Sequence, residues 1–170
     1  MKNLLALMSL LSFLGLAAKA DPLAVGAPAP KLSALDQDGK TVNFADVYAK
    51  GPTLVYFYPK ADTPGCTKQG CSIRDAWADL TAKGIQVLGV SEDKPDAQKK
   101  FADKFSFKHT LIADADGKVA KAFQVDMIPV AGLTKRESFL VKDGKIAWTM
   151  LKVNPETHAA DVIKAVEGLK

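Results

Sequence analysis

The chain's only two cysteines lie five residues apart, in the run Pro59-Lys60-Ala61-Asp62-Thr63-Pro64-Gly65-Cys66-Thr67-Lys68-Gln69-Gly70-Cys71. Cys66 follows a strand-like stretch and opens a helix-like one. At the first turn of a helix its sulfur faces backbone N–H groups outside the helical ladder and the positive end of the helix dipole, both of which stabilise a thiolate. Thr63, three residues earlier, brings a hydroxyl to the same place, and Pro59 and Pro64 stiffen the loop. The chemistry on offer is nucleophilic attack by sulfur. The plain alternative is a small buried hydrophobe, a common fate of free cysteine.

The spacing restricts what the pair can do. On an unbroken helix, five steps of ~1.5 Å put the Cα atoms at least ~7.5 Å apart, outside the ~4.4–6.8 Å span of a disulfide. At ~100° per residue the side chains also diverge by ~140°. A bridge therefore requires the turn to unwind, and Gly70, which costs ~1 kcal/mol relative to Ala in a helix interior, makes that easier, as does Thr67. The expectation is a switching pair: Cys66 is oxidised, the helix start melts and Cys71 swings in. The competing role for Gly70 is to allow close packing.

The elements that must hold these residues follow from hydrophobic patterning. Residues 53–58 (Thr-Leu-Val-Tyr-Phe-Tyr), bounded by Gly51-Pro52 and Pro59, read as a strand buried on both faces. Cys71, Ile73, Trp77 and Leu80 fall at helical spacing with a stop at Lys83-Gly84, and 85–90 is the next buried strand. This is a β-α-β unit and hence parallel. Upstream, 32–35 and 41–44 flank an Asp38-Gly39 turn as a hairpin. Downstream come a helix over 94–105, a strand over 110–113, a short helix over 119–123, and a second hairpin, 138–141 with 146–150, around Asp143-Gly144. Asn154-Pro155-Glu156 caps a final helix reaching about residue 169. The pattern is an α/β thioredoxin fold, a central mixed sheet flanked by helices with an N-terminal β-hairpin, in one domain over 21–170.

Composition excludes other classes. With 48% hydrophobic and 25% charged residues the chain suits a single globular core. A net charge of +4 and the lack of long Lys/Arg clusters argue against nucleic-acid or polybasic membrane binding. Residues 1–20 read as a signal peptide: basic Lys2, an apolar run from Leu4 to Ala18, and Ala18-Lys19-Ala20 before Asp21. Cleavage after Ala20 removes two lysines and no acid, taking +4 to +2, and sends the protein to the periplasm. The fifteen-residue run is short of the ~20 residues a spanning helix wants. No Gly-x-Gly-x-x-Gly, P-loop or metal-ligand pattern calls for a cofactor.

The run Pro59-x-x-x-Thr63-x-x-Cys66 resembles the peroxiredoxin signature. Tyr56-Phe57-Tyr58-Pro59-Lys60 through Asp62-Thr63-Pro64-Gly65-Cys66-Thr67-x-Gln69-x-Cys71-x-x-Arg74-Asp75 is similar to the bacterioferritin comigratory protein branch, also called peroxiredoxin Q. The likeness extends from Gly26-x-Pro28 to Arg136-x-Ser138-Phe139-Leu140-Val141 and the Asp143-Gly144 turn. It implies a peroxidase of hydrogen peroxide and organic hydroperoxides in which Cys66 is the peroxidatic residue and passes through a sulfenic acid. Cys71 is then the resolving residue, and Pro59, Thr63 and Arg136 complete the catalytic set. A guanidinium at Arg136 favours the ionised thiol and charge on the departing oxygen. Arg74 is left between two roles, orienting the site or pairing with Asp75 or Asp79. The implied partners are the peroxide and a thioredoxin-like or glutaredoxin-like reductant. Resolution within five residues needs no second subunit, so a monomer is expected. The signal peptide, Gly70 where Ala is common in the branch, and the tract 129–134 depart from the pattern. A Sco-like copper protein shares the fold and would use His109 or His158 as ligand, but its cysteines are separated by three residues, whereas four intervene here. The Cys-x-x-Cys of a thioredoxin-type oxidoreductase is absent.

Overall fold

The computed structural model describes residues 22–169, so the signal peptide expected over 1–20 lies outside the described residues. The chain runs through a hairpin, β1 (Ser33–Asp36) and β2 (Thr41–Asn43), a short helix α1 (Phe44–Tyr48) and the strand β3 (Thr53–Phe57). Two successive helices follow, α2 (Pro64–Asp75) and α3 (Trp77–Ala82), then β4 (Gln86–Ser91), α4 (Pro95–Phe105), β5 (Thr110–Ala113) and α5 (Lys118–Ala122). A small ribbon, β6 (Met127–Ile128) with β7 (Leu133–Thr134), precedes the hairpin β8 (Ser138–Lys142) and β9 (Lys145–Met150), and α6 (His158–Gly168) follows.

Seven strands make one mixed sheet in the order β2-β1-β5-β4-β3-β8-β9, and the ribbon stands apart from it. The helical crossovers leave β3, β4 and β5 parallel, while β8 returns antiparallel to β3 and pairs with β9. This is the thioredoxin-fold arrangement, with the N-terminal hairpin added beyond β5. Strand β3 sits inside it, Val55 lying between Leu88 and Phe139, and all five of its residues are buried. Alternation divides its side chains. Val55 and Phe57 join Val90, Ile112 and Phe139 beneath Phe44 and Phe123. Leu54, Tyr56 and Tyr58 face the other way, packing with Cys66 and Ile73 of α2, Leu80, Phe101 and Val162. Each such fully buried apolar side chain contributes ~1.5–3 kcal/mol, so Ile73 alone anchors α2 firmly against the sheet.

Local chemistry moves several boundaries from those read in the sequence. The Asn43 side chain accepts from the Ala45 N–H at 3.0 Å, a cap that ends β2 one residue early and starts α1 at Phe44, where only strand was expected. The single helix expected through Leu80 is two, because Ala76 (φ −90°, ψ 8°) ends α2 and begins α3. Ile73, Trp77 and Leu80 pack on the same core across the bend, so their spacing still reads as one helix. Asn154 Oδ1 accepts from the Glu156 N–H at 3.0 Å, which makes Asn154-Pro155-Glu156 a turn ahead of α6 rather than its cap. The unusual tract at 129–134 turns the ribbon, with Val130 at φ 74° and fully exposed.

Candidate active site

Thr63 is the N-cap of α2 and Pro64 its first residue, where a missing N–H matters least. The first rung of the helix runs from the Thr67 N–H to the Thr63 carbonyl at 2.8 Å. The N–H groups of Gly65 and Cys66 therefore precede the ladder, at the positive end of the helix. Cys66 sits there only 2% exposed. The loop from β3 is held by Asp93, whose Oδ2 accepts from the Ala61 N–H at 2.8 Å and from Ser91 Oγ at 2.7 Å. Asp62, at φ 58°, is paired with Lys104 at 2.8 Å. Pro59 lines a cleft of about 150 Å³ with Lys60, Glu92, Asp93 and Leu133.

Arg136 arrives from the segment between β7 and β8, which is stitched to the end of β3. The Phe57 N–H donates to the Glu137 carbonyl at 2.7 Å, and Thr134 Oγ1 donates to the Tyr58 carbonyl at 3.2 Å. These bonds bring Arg136 Nη2 to 3.5 Å from Cys66 Sγ, across 70 residues of sequence. Gly65 leaves room for it, since a Cβ there would lie 3.1 Å from Nη2. The structure thus joins Cys66 and Arg136 directly. Thr63 is the helix N-cap three residues before Cys66, and its hydroxyl donates to the Lys60 carbonyl at 3.0 Å. With that proton committed, Thr63 Oγ1 meets any third group as an acceptor.

Three residues outside the expected set complete the arrangement. Arg136 Nη1 donates to Gln69 Oε1, Gln69 Nε2 lies 3.2 Å from His158 Nδ1, and His158 Nε2 lies 2.9 Å from Ser138 Oγ. Gln69, His158 and Ser138 are all fully buried. Burial, reinforced by the Arg136 charge, lowers the His158 pKa to about 3, so the ring is neutral. Gln69 follows Cys66 by three residues on α2, a same-face spacing that points to it. Nothing in the sequence connects His158 or Ser138 to the cysteine.

Cys71 is half-buried on the intact helix, and both thiols are free. Arg74, three residues on, takes the pairing role of the two, with Asp75 as its partner. Its Nε donates to Asp75 Oδ1 at 2.8 Å and its Nη1 to the Phe105 carbonyl at 3.0 Å, with the guanidinium lying beside Cys71. Gly70 has a packing role. A Cβ there would fall 2.3 Å from Phe107 Cζ, and that ring stacks on Phe105 and His109 and meets Phe101 edge-on.

The histidines that a copper site would need are engaged elsewhere. His109 Nε2 is 2.8 Å from the Tyr56 hydroxyl, and burial takes its pKa down to about 3. His158 has both nitrogens in the chain of bonds just described. Among the described residues no group of three or more His, Cys, Asp or Glu is gathered to hold a metal. Burial also raises the Tyr56 and Tyr58 pKa values, so these phenols remain protonated and bonded to His109 and Gln98.

Residues 25–149 match the model of the AhpC/TSA family. The chain is 48% identical to peroxiredoxin Bcp of Escherichia coli (strain K12) over 105 residues, 62% of this chain and 67% of that protein. It is 33% identical to chloroplastic peroxiredoxin Q of Populus jackii over 146 residues, 85% of this chain and 68% of the relative. A solved structure of Xanthomonas campestris bacterioferritin comigratory protein, described for its alkyl peroxide reduction activity, superposes with a TM-score of 0.78 at 26% identity, covering 88% of this chain and 100% of that one.

Proposed function

The chain belongs to the AhpC/TSA family and is a thiol-dependent peroxidase of the peroxiredoxin Bcp and Q kind; from that premise we propose that Cys66 attacks the peroxide, Cys71 resolves the product, and Arg136 and Thr63 hold the substrate between them. One contact carries the assignment: Arg136 Nη2 at 3.5 Å from a buried sulfur at the start of a helix. A guanidinium cannot give up its proton, so a fixed positive charge and its donors face the sulfur.

The Cys66 thiolate attacks the terminal oxygen of ROOH. A sulfur–oxygen bond forms as the oxygen–oxygen bond breaks, and the departing alkoxide takes a proton to leave as ROH, with Cys66 left as the sulfenic acid. Arg136 donors stabilise the charge growing on the departing oxygen, and Thr63 Oγ1 accepts from the peroxide O–H. Pro59 keeps the loop that presents Thr63 stiff. The first turns of α2 then unwind, and the Cys71 thiolate attacks the sulfenic sulfur. The disulfide forms, and hydroxide leaves and is protonated to water. A dithiol reductant of the thioredoxin type restores both thiols by exchange.

The substrates are hydrogen peroxide and organic hydroperoxides, the second supported by the alkyl peroxide activity described for the Xanthomonas relative. The basic, apolar and Ala-x-Ala pattern over residues 1–20 supports export to the periplasm with cleavage after Ala20. There the reductant is a thioredoxin-like or glutaredoxin-like protein of that compartment. Both thiols lie on one helix, which supports a monomer. The test is peroxide consumption with dithiothreitol. Wild type is active, Cys66→Ser is inactive, and Cys71→Ser accumulates sulfenic acid without the intramolecular disulfide. Full activity in Cys66→Ser would overturn the assignment.

A further inference from the structure

We propose that His158 is a positioning residue for peroxide attack: by accepting a hydrogen bond from Gln69 it fixes the amide with its oxygen towards Arg136, and so holds the guanidinium at Cys66. The inference rests on the peroxidase reading above and adds a residue 92 positions from the sulfur.

A glutamine amide has an acceptor end and a donor end of nearly equal size, and what surrounds it decides which way it faces. Arg136 offers only donors. If Gln69 presented Nε2 to it, two donors would oppose each other in a buried place and the guanidinium would be displaced from the sulfur. His158 settles the choice from the other side. Its Nδ1, 3.2 Å from Gln69 Nε2, accepts only while unprotonated. The ring proton then sits on Nε2 and is donated to Ser138 Oγ at 2.9 Å. A neutral ring, favoured by full burial near a fixed cation, satisfies every step.

The chain of bonds closes on itself. Arg136 and Ser138 are two residues apart on one extended segment, so their side chains share a face. From Ser138 the path runs to His158, to Gln69, to Arg136, and back along two residues of backbone. The ring is held edge-on against Tyr56, with centroids 5.5 Å apart. The next residue along α6, Ala159, donates its N–H to Ser72 Oγ of α2 at 3.1 Å. The hydrogen-bonded route from His158 to the sulfur thus runs through Gln69 and Arg136.

The test separates this role from one in folding. His158→Phe keeps a flat ring against Tyr56 but removes the acceptor. His158→Asn places an amide oxygen close to the Nδ1 position. Stopped-flow oxidation by hydrogen peroxide and titration of Cys66 thiolate absorbance are measured on each variant in the Cys71→Ser background. In His158→Phe the second-order rate constant falls about tenfold and the thiolate titration moves to higher pH. In His158→Asn both stay within about twofold of the parent. Gln69→Leu lowers the rate comparably, and adding His158→Phe to it changes nothing more. Ser138→Ala, which leaves the ring in place but frees its tautomer, gives a fall of about threefold and keeps the question answerable if His158→Phe does not fold. Parental rates and titrations in both His158→Phe and Ser138→Ala, or independent effects of Gln69→Leu and His158→Phe, would overturn the positioning role. An inactive Cys71→Ser parent whose Cys66 is not oxidised by peroxide would instead overturn the peroxidase reading.

Discussion

Replacing Gly70 by alanine sets two opposed effects on the same helix. Alanine favours a helix interior over glycine by ~1 kcal/mol, which alone would make α2 harder to unwind and slow the disulfide. The added Cβ, however, would lie 2.3 Å from Phe107 Cζ, 2.7 Å from Cε2 and 3.0 Å from Cε1. The ring has little freedom to yield, being stacked between Phe105 and His109 with Phe101 at its edge. Overpacking of this kind costs ~1–3 kcal/mol, so the clash outweighs the propensity by about 1 kcal/mol. Gly70→Ala is thus expected to lower the melting temperature of the reduced protein by ~2–4 °C. It also destabilises the intact α2 relative to the unwound form, so conversion of Cys66 sulfenic acid to disulfide speeds up about fivefold. Phe107→Leu removes the clashing ring atoms. In that background Gly70→Ala leaves only the propensity term and slows the same step about fivefold. Rapid quench after one equivalent of peroxide, with mass analysis of the 66–71 link, reads the rate, and thermal unfolding of the reduced forms reads the stability. A slower disulfide in single-mutant Gly70→Ala, or the same sign in both backgrounds, would refute the reasoning.

Arg74→Gln removes the charge beside Cys71 while leaving Cys66 and Arg136 untouched, so resolution slows several-fold with peroxide attack unchanged; stopped-flow traces with separate oxidation and resolution phases distinguish the two. Stability falls with acid in a definite window. His109 and His158 have pKa values lowered to about 3, so their contribution is full above the unfolded value near 6.5 and drains as pH falls towards 3, each by ~1.4 kcal/mol per pH unit. Asp114, whose pKa burial raises to about 6, works the other way between about 6 and 4 and offsets one histidine. Urea unfolding of the reduced protein should therefore lose a net ~1.4 kcal/mol per pH unit between pH 6 and 5, and an unchanged midpoint and slope there would contradict the buried neutral rings.

The parts of the molecule legible in the sequence are those whose cause is local or periodic. β3 shows itself because a strand buried on both faces must be continuously apolar, and Asp38-Gly39 and Asp143-Gly144 mark turns that need positive φ, observed at Gly39 (73°) and Gly144 (72°). Cys66 and Thr63 are legible because the helix start sets their chemistry and Cys71 because of its spacing from Cys66, whereas Arg136 is legible only through the resemblance to the peroxiredoxin pattern, since alone it reads as a charge at a strand end. The bend at Ala76 is hidden because both halves bury the same face. The reason for Gly70 is hidden because Phe107 comes 37 residues later. His158 reads as an ordinary core position of α6, since its partners Gln69 and Ser138 come from a different helix and a strand. A buried polar relay leaves no periodic trace, only single polar residues on otherwise apolar faces.

In the proposed Cys66–Cys71 cycle, the contacts of α2 with α6 and with the turn ahead of it set a waiting time. Lys68 and Gln69 lie between the two cysteines, the first paired with Glu156 at 2.6 Å and the second bonded to His158, and Ser72 just beyond holds the Ala159 N–H. Unwinding the turn that separates Cys66 from Cys71 loosens this seam first. The firmer the seam, the longer the sulfenic acid stands exposed to a second peroxide, which would carry it to the sulfinic state and end turnover. The exposed Lys68 pair adds little to that delay; the buried Gln69–His158 bond adds more. On the cycle proposed above, the junction of two helices thus sets the peroxide concentration at which the protein stops being a catalyst and becomes a casualty of its substrate.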